Sequence, residues 1–248
     1  MTKPILYKFV AVGDNHGDMV DKDSANELFN FCKSFKPHHK IHLGDCYDMR
    51  SLRQGATGKE VQESLEEDVE WGNWFISNYK PTIFLYGNHE DRIQHIIHTT
   101  TNGIFKDFCK DLDDKIRNHL KENGCKKILP YHAEEGVYEL GPISFVHGYS
   151  CGVRAVEEHA IHYAPPKGAT VMGHIHSIQQ TNARKFRGAV GFCGGCLCKK
   201  KFMSYAKNRL NTSKWGTGWI YGFVQGKDWK IWQAHKVGKK FIYSHIDL

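Results

Sequence analysis

Five short apolar runs, far apart in the chain, each stop at a glycine or at a histidine followed by glycine, and this repetition restricts the fold more than any other feature. The runs are Phe9-Val10-Ala11-Val12 before Gly13, Ile41-His42-Leu43 before Gly44, Ile83-Phe84-Leu85-Tyr86 before Gly87, Ile143-Ser144-Phe145-Val146 before His147-Gly148, and Thr170-Val171-Met172 before Gly173. Brief β-rich runs bounded by glycine and alternating with longer helical stretches are the pattern of buried strands in a layered α/β protein. Polar side chains then gather in the loops beyond the strand ends. Glycine at such turns allows a positive φ and a close approach of backbone to an ion.

Each run is followed by the same kind of chemistry. Gly13-Asp14-Asn15-His16-Gly17, Gly44-Asp45-Cys46-Tyr47-Asp48, Gly87-Asn88-His89-Glu90, His147-Gly148 and Gly173-His174-Ile175-His176 deliver carboxylates, an amide and imidazoles in five ordered stations. A single histidine at a strand end is an ordinary loop residue; five ordered stations read as a two-metal hydrolytic centre. Two cations about 3.5 to 4 Å apart need a bridging carboxylate, and Asp45 in the second station is the natural one. Neutral imidazoles with carboxylates suit manganese first, with iron or zinc as alternatives, rather than magnesium or calcium. Asn88 is a weak ligand whose NH₂ group can also donate to a substrate oxygen. His89 is then free to protonate a leaving group.

These five blocks resemble the calcineurin-like metallophosphoesterases, which include protein phosphatases, cyclic-nucleotide phosphodiesterases and repair exonucleases. The resemblance implies that Asp14, His16 and His176 hold one metal, that Asn88, His147 and His174 hold the other, and that Asp45 bridges them. It implies in-line attack on phosphorus by a hydroxide that both ions activate, with His89 as general acid. Asp48 is expected to orient the site by hydrogen bonds rather than to ligate. In the protein-phosphatase block an arginine directly follows the second aspartate, whereas here Met49 separates Asp48 from Arg50. Arg92 is therefore the alternative phosphate-binding arginine.

The 248-residue chain is expected to form a single domain, residues 1–248, with a two-sheet β-sandwich flanked by helices in four layers and a basic β-rich part from about residue 183. Ser24-Ala25-Asn26-Glu27 reads as a capping box opening a helix to about Phe35, and Thr57-Gly58-Lys59-Glu60 as a second one before an apolar stripe from Val61 to Tyr79. Residues 91–123 read as helix and are placed over the site. The segments 178–182, 186–192, 219–225, 229–234 and 240–244 read as strands completing the second sheet, with a hairpin turn at Gly226-Lys227-Asp228.

No run approaches the roughly 20 apolar residues of a membrane span and the start lacks a signal-peptide pattern, so a cytoplasmic protein without membrane contact is expected. The eight cysteines are read as reduced thiols. Cys193-Gly194-Gly195-Cys196-Leu197-Cys198 is read as small residues in a tight loop behind the active site, because zinc would need a fourth ligand.

Charge bears on the substrate. Residues 183–248 hold 14 Lys and Arg against two acids, Asp228 and Asp247, while the rest of the chain holds 20 against 25. Arg184, Lys185, Arg187, Lys199, Lys200, Lys201, Lys207, Arg209 and Lys214, with Tyr205, Trp215 and Trp219 among them, suit a polyphosphate backbone with bases to stack. A phosphodiesterase or nuclease is thus expected, with nucleic acid as a possible partner through this basic part. A phosphomonoesterase acting on protein or a small phosphate is the alternative, and a non-catalytic binding scaffold a third class. Oligomeric state has no signature in the chain.

Overall fold

Alternation along the first strand sets the layering. In β1 (Leu6–Val12), Phe9 and Ala11 enter one core while Val10 and Val12 enter another, as a period of two requires. The structure is a computed structural model and describes residues 4–185, 187–199 and 214–244; elements are numbered along the chain. β1 pairs in parallel with β2 (His39–His42), β2 with β3 (Ile83–Leu85) and β3 with β4 (Lys127–Leu129). The second sheet runs β5 (Tyr138–Leu140), β6 (Ile143–Val146), β7 (Ala169–Met172), β9 (Ala189–Gly194), β8 (Ile178–Ala183), with β6, β7 and β9 parallel. β10 (Gly218–Gln225), β11 (Asp228–Val237) and β12 (Lys240–Ile242) add antiparallel on the free side of β1, completing a seven-stranded first sheet.

Between the sheets, Phe9 meets Phe145 edge to face at 5.2 Å, and Ile41, Leu85, Val171, Phe192 and Ile220 fill the same core. The outer face of the first sheet is covered by α1 (Lys22–Phe35), α3 (Leu65–Tyr79) and α5 (Gly103–Glu122), whose Leu28, Phe75 and Ile116 pack with Val10, Phe84 and Tyr221. The outer face of the second sheet is covered by α6 (Ala155–Tyr163), through Val156 against Val146 and Met172. This is the α/β, two-sheet, four-layer sandwich expected from the strand pattern.

The C-terminal strands divide differently from expectation. Only β8 and β9 complete the second sheet; β10 to β12 join the first, because β10 carries apolar side chains on both faces and fits beside β1, with Leu6 opposite Gln225 and Ala11 opposite Ile220. The hairpin turn is Gly226-Lys227, between paired Gln225 and Asp228. β9 begins at Ala189, and Phe186, where the expected strand starts, lies outside the described residues.

Helix starts also differ. Asp21 caps α1, accepting from Ser24 N and from Ser24 Oγ (2.7 Å), so Ser24 lies inside the first turn. Ser64 caps α3 by accepting from Glu67 N, and the Thr57 segment yields only the four-residue α2 (Lys59–Gln62). The long 91–123 stretch breaks into α4 (Asp91–Thr99) and α5, the latter capped by Asn102. The buried face of α5 enters the core beside the first sheet rather than lying over the site. No helix among the described residues is long and apolar enough to cross a membrane.

Candidate metal centre

The loops that leave β1, β2, β3, β6 and β7 meet at one edge of the sandwich and are stitched together by their backbones. Asp14 N donates to Gly44 O (3.0 Å), His16 N to Asp45 O (3.0 Å), Gly17 N to Cys46 O (2.8 Å) and Gly173 N to His147 O (2.8 Å). Carboxylates tie the same loops: Asp14 accepts from His174 N at 3.0 and 3.1 Å, and Asp45 Oδ1 accepts from His89 N at 3.0 Å.

Asp14, His16, Asp45, His174 and His176 all have a positive φ, between 51° and 69°. Non-glycine residues rarely adopt that conformation, and its concentration at donors marks backbone held under constraint. Gly44 takes a positive φ (105°), as expected, but Gly13, Gly87 and Gly173 do not. They are glycine for lack of room: a Cβ at Gly87 would stand 2.1 Å from Asp45 Oδ1, and one at Gly173 2.7 Å from Asp14 Oδ2.

Donor atoms converge in two groups around Asp45. On one side, His16 Nε2 and His176 Nε2 are 3.0 Å apart, and Asp14 Oδ1 is 3.2 Å from His176 Nε2. On the other, His147 Nε2 lies 3.0 Å from Asn88 Oδ1 and 3.4 Å from Asp45 Oδ2. Donor atoms of Asp45, His147 and His174 all fall within 4.8 Å of one another. Asp45 Oδ2 is also 4.0 Å from His16 Nε2, so it faces both groups.

Hydrogen bonds leave the converging nitrogens with lone pairs. His16 Nδ1 donates to Asp48 Oδ1 (3.0 Å) and His147 Nδ1 to Leu43 O (2.8 Å), which directs each Nε2 lone pair inward. Burial pushes His174 down to about 4, helped by neighbouring His147. Burial acts the same way on His147 and His176, but the carboxylates of Asp45 and Asp14, respectively, overcome it and hold each at about 9. Negative charge buried in this way attracts a divalent cation as well as a proton. The donor types, their convergence and their charge fit a pair of divalent ions.

His89 faces the same space. Its Nδ1 is 2.7 Å from Asp48 Oδ1 and its Nε2 3.7 Å from Asp45 Oδ2. Burial disfavours its charged form, yet Asp45 and then Asp48 raise it above the ordinary histidine value. Arg92 donates to Asp48 O (2.7 Å), and its Nη2 stands 3.2 Å from His89 Nε2. Arg50 is instead consumed by carboxylates: it holds Asp18 at 2.6 and 2.7 Å, Asp48 at 3.1 Å, and Glu63.

Three further residues do structural work here: the sequence assigns no role to Glu90 or His42, and marks Cys198 only as part of a tight loop behind the site. Glu90 is fully buried and accepts four backbone amides, from Cys46 (2.7 Å) and Tyr47 (3.0 Å) on Oε1 and from Gly87 (2.8 Å) and Asp45 (2.9 Å) on Oε2. It locks the second station to the third. Its signal is an acid directly following Asn88-His89 in a turn. His42, which burial holds near 3 and so neutral, donates to Asn15 Oδ1 (2.8 Å) and accepts from Gly44 N (3.2 Å). Cys198 brings its thiol within 4.8 Å of His16 and His176 donor atoms. Alternation along an extended Cys-Leu-Cys places both thiols on one face, which is the signal that could have found it. All eight cysteines are unpaired.

The sequence profile described as calcineurin-like phosphoesterase matches residues 7–192. The chain belongs to that family. Metal-dependent phosphoester hydrolysis is the chemistry of this calcineurin-like phosphoesterase. Among solved structures it is similar to a single-mutant Vps29 from Entamoeba histolytica (8% identity, TM-score 0.46, covering 97% of this chain and 99% of that one). It is similar too to a metallophosphoesterase from Sphaerobacter thermophilus (13% identity, TM-score 0.43, 92% and 87%). Neither likeness speaks to substrate. No curated protein matches the chain in sequence.

Proposed function

We propose that this calcineurin-like phosphoesterase hydrolyses phosphodiesters at a dinuclear centre in which Asp14, His16 and His176 hold one divalent ion, Asn88, His147 and His174 hold the other, and Asp45 bridges. When bound, such a pair supplies Lewis-acid activation of water and neutralises charge on the phosphoryl oxygens. His89 delivers a proton from Nε2 to the leaving oxygen, its Nδ1 held by Asp48 so that the ring keeps one orientation. Arg92 steers a phosphoryl oxygen beside His89, and the Asn88 amide nitrogen donates to another.

The observation that carries the diester preference is the state of Arg50. A terminal phosphoryl dianion gains most from a bidentate guanidinium, and Arg50 spends its donors on Asp18, Asp48 and Glu63. A diester, with one charge, needs no such clamp. The test is turnover of aryl diester and aryl monoester reporters side by side with manganese. A higher kcat/KM on the diester is expected; a higher value on the monoester would transfer the proposal to a phosphomonoesterase.

A nucleic-acid backbone is one diester that the basic C-terminal part would attract. Of its residues, Lys200, Lys201, Tyr205, Lys207 and Arg209 lie outside the described residues. Binding of short oligonucleotides across salt decides this form of the proposal. Counterion release predicts an affinity that falls steeply with salt and a slope that flattens when Lys199, Lys200 and Lys201 become glutamine. Weak binding with the same shallow slope in both proteins would leave a small-molecule diester.

A further inference from the structure

Segment 196–199 runs alongside the loop that carries Asp14 and His16. Leu197 N donates to Asp14 O (3.2 Å), Asp21 N to Leu197 O (2.7 Å) and Lys199 N to Met19 O (2.7 Å), and Cys198 sits opposite Val20 in an antiparallel bridge. These bonds fix the position of Cys198, which is 2% exposed. Its Sγ lies with one donor atom each of His16 and His176 inside a 4.8 Å group.

Of the other two thiols of the cluster, Cys193 is turned away, and Cys196 shares the face of Cys198 but is held by a backbone carbonyl. Cys193 Sγ donates to Gly173 O (3.6 Å) and Cys196 Sγ to Gly216 O (3.5 Å), while Cys196 Sγ also accepts a hydrogen bond from the Cys198 thiol. The histidines beside Cys198 are unfinished as donors. His16 Nε2 presents a lone pair, since its Nδ1 is spent on Asp48, and it faces His176 Nε2 at 3.0 Å. His176 Nδ1 is buried without a hydrogen-bond partner among the described residues. Two inward imidazoles, a nearby carboxylate of Asp14 and a fixed thiol form a mixed nitrogen, oxygen and sulfur donor set.

We propose that Cys198 Sγ is a further ligand of the ion held by Asp14, His16 and His176. The inference rests on the dinuclear reading above and deepens it. On binding, the metal–sulfur bond forms and the thiol proton passes to solvent. A thiolate favours zinc, cobalt or ferrous iron over manganese, so the same residue would make the first site softer than the second. The donors lacking from the Cys193, Cys196 and Cys198 cluster in sequence are then supplied by histidines remote in the chain.

The test is titration of the metal-free full-length protein with cobalt(II), followed by near-ultraviolet absorption and metal content. Wild type should take up two equivalents and develop an intense thiolate-to-cobalt charge-transfer band. Cys198→Ser should keep two equivalents, lose the band, and show a lowered preference for zinc over manganese. The double variant Cys193→Ser with Cys196→Ser should keep the band, which preserves the test should Cys198→Ser fail to fold. Two equivalents bound by wild type without the band, or a band that survives Cys198→Ser, would overturn the proposal and leave the dinuclear reading intact. Failure to bind cobalt at all would overturn both.

Discussion

His89 is held on one side by Asp48 (2.7 Å) and reaches Asp45 on the other (3.7 Å), so its removal should leave the metal donors in place and take away the proton. His89→Ala is expected to retain both metals and substrate affinity while losing roughly 10²- to 10⁴-fold in turnover. Substrates with good leaving groups should be partly spared, and equal loss on good and poor ones would point to orientation instead. Glu90 makes a different kind of claim. Glu90→Gln gives its amide nitrogen no acceptor among four facing N–H groups, so the protein should lose at least about 2 kcal/mol of stability; unchanged denaturant unfolding would refute the clamp. The donors of the stations were legible because aspartate and histidine beyond an apolar run have few other uses in such number. Glu90 and Cys198 leave only faint signals, an acid after Asn88-His89 and an alternating Cys-Leu-Cys, since the backbone facing each is decided by pairing remote in the chain.

At the scale of elements, the strands that carry the stations were readable from apolar runs ended by glycine, and the helices from their periodic stripes. Their ends and partners were less so. Asp21, Ser64 and Asn102 are the caps in use, and each competes with nearby polar residues that make an equally good pattern on paper. The sequence pattern places β10 to β12 in the second sheet whereas they join the first, because a run apolar on both faces, as in β10, fits any central position. Gly44 tests how far the loops depend on crowding. Its φ is +105°, and a Cβ there would meet Gly87 N at 2.6 Å and His147 Nδ1 at 2.7 Å. Gly44→Ala should therefore cost more than the roughly 1 to 3 kcal/mol of backbone strain alone and should disturb metal uptake. Gly124→Ala supplies the control, since Gly124 has φ +90° with nothing within 4 Å. Equal effects of the two on unfolding and metal content would show that crowding at Gly44 is unimportant.

For the whole molecule, the core between the sheets draws on β1, β2, β3, β5, β6, β7, β9, β10 and β11, and the parallel strands of both sheets deliver their ends to one edge. That arrangement is what allows residues as distant as Asp14 and His176 to face one another at 3.2 Å. The charge asymmetry of the chain belongs to the same scale, since it bears on what approaches the edge rather than on how the edge is built. The central claim is that this edge holds two metal ions about a shared Asp45. Elemental analysis of fully loaded wild type and of Asp45→Asn tests it most directly. Two equivalents in wild type, with tight occupancy of at least one site lost in Asp45→Asn, is the predicted result; one equivalent or none in the fully loaded wild type would contradict it.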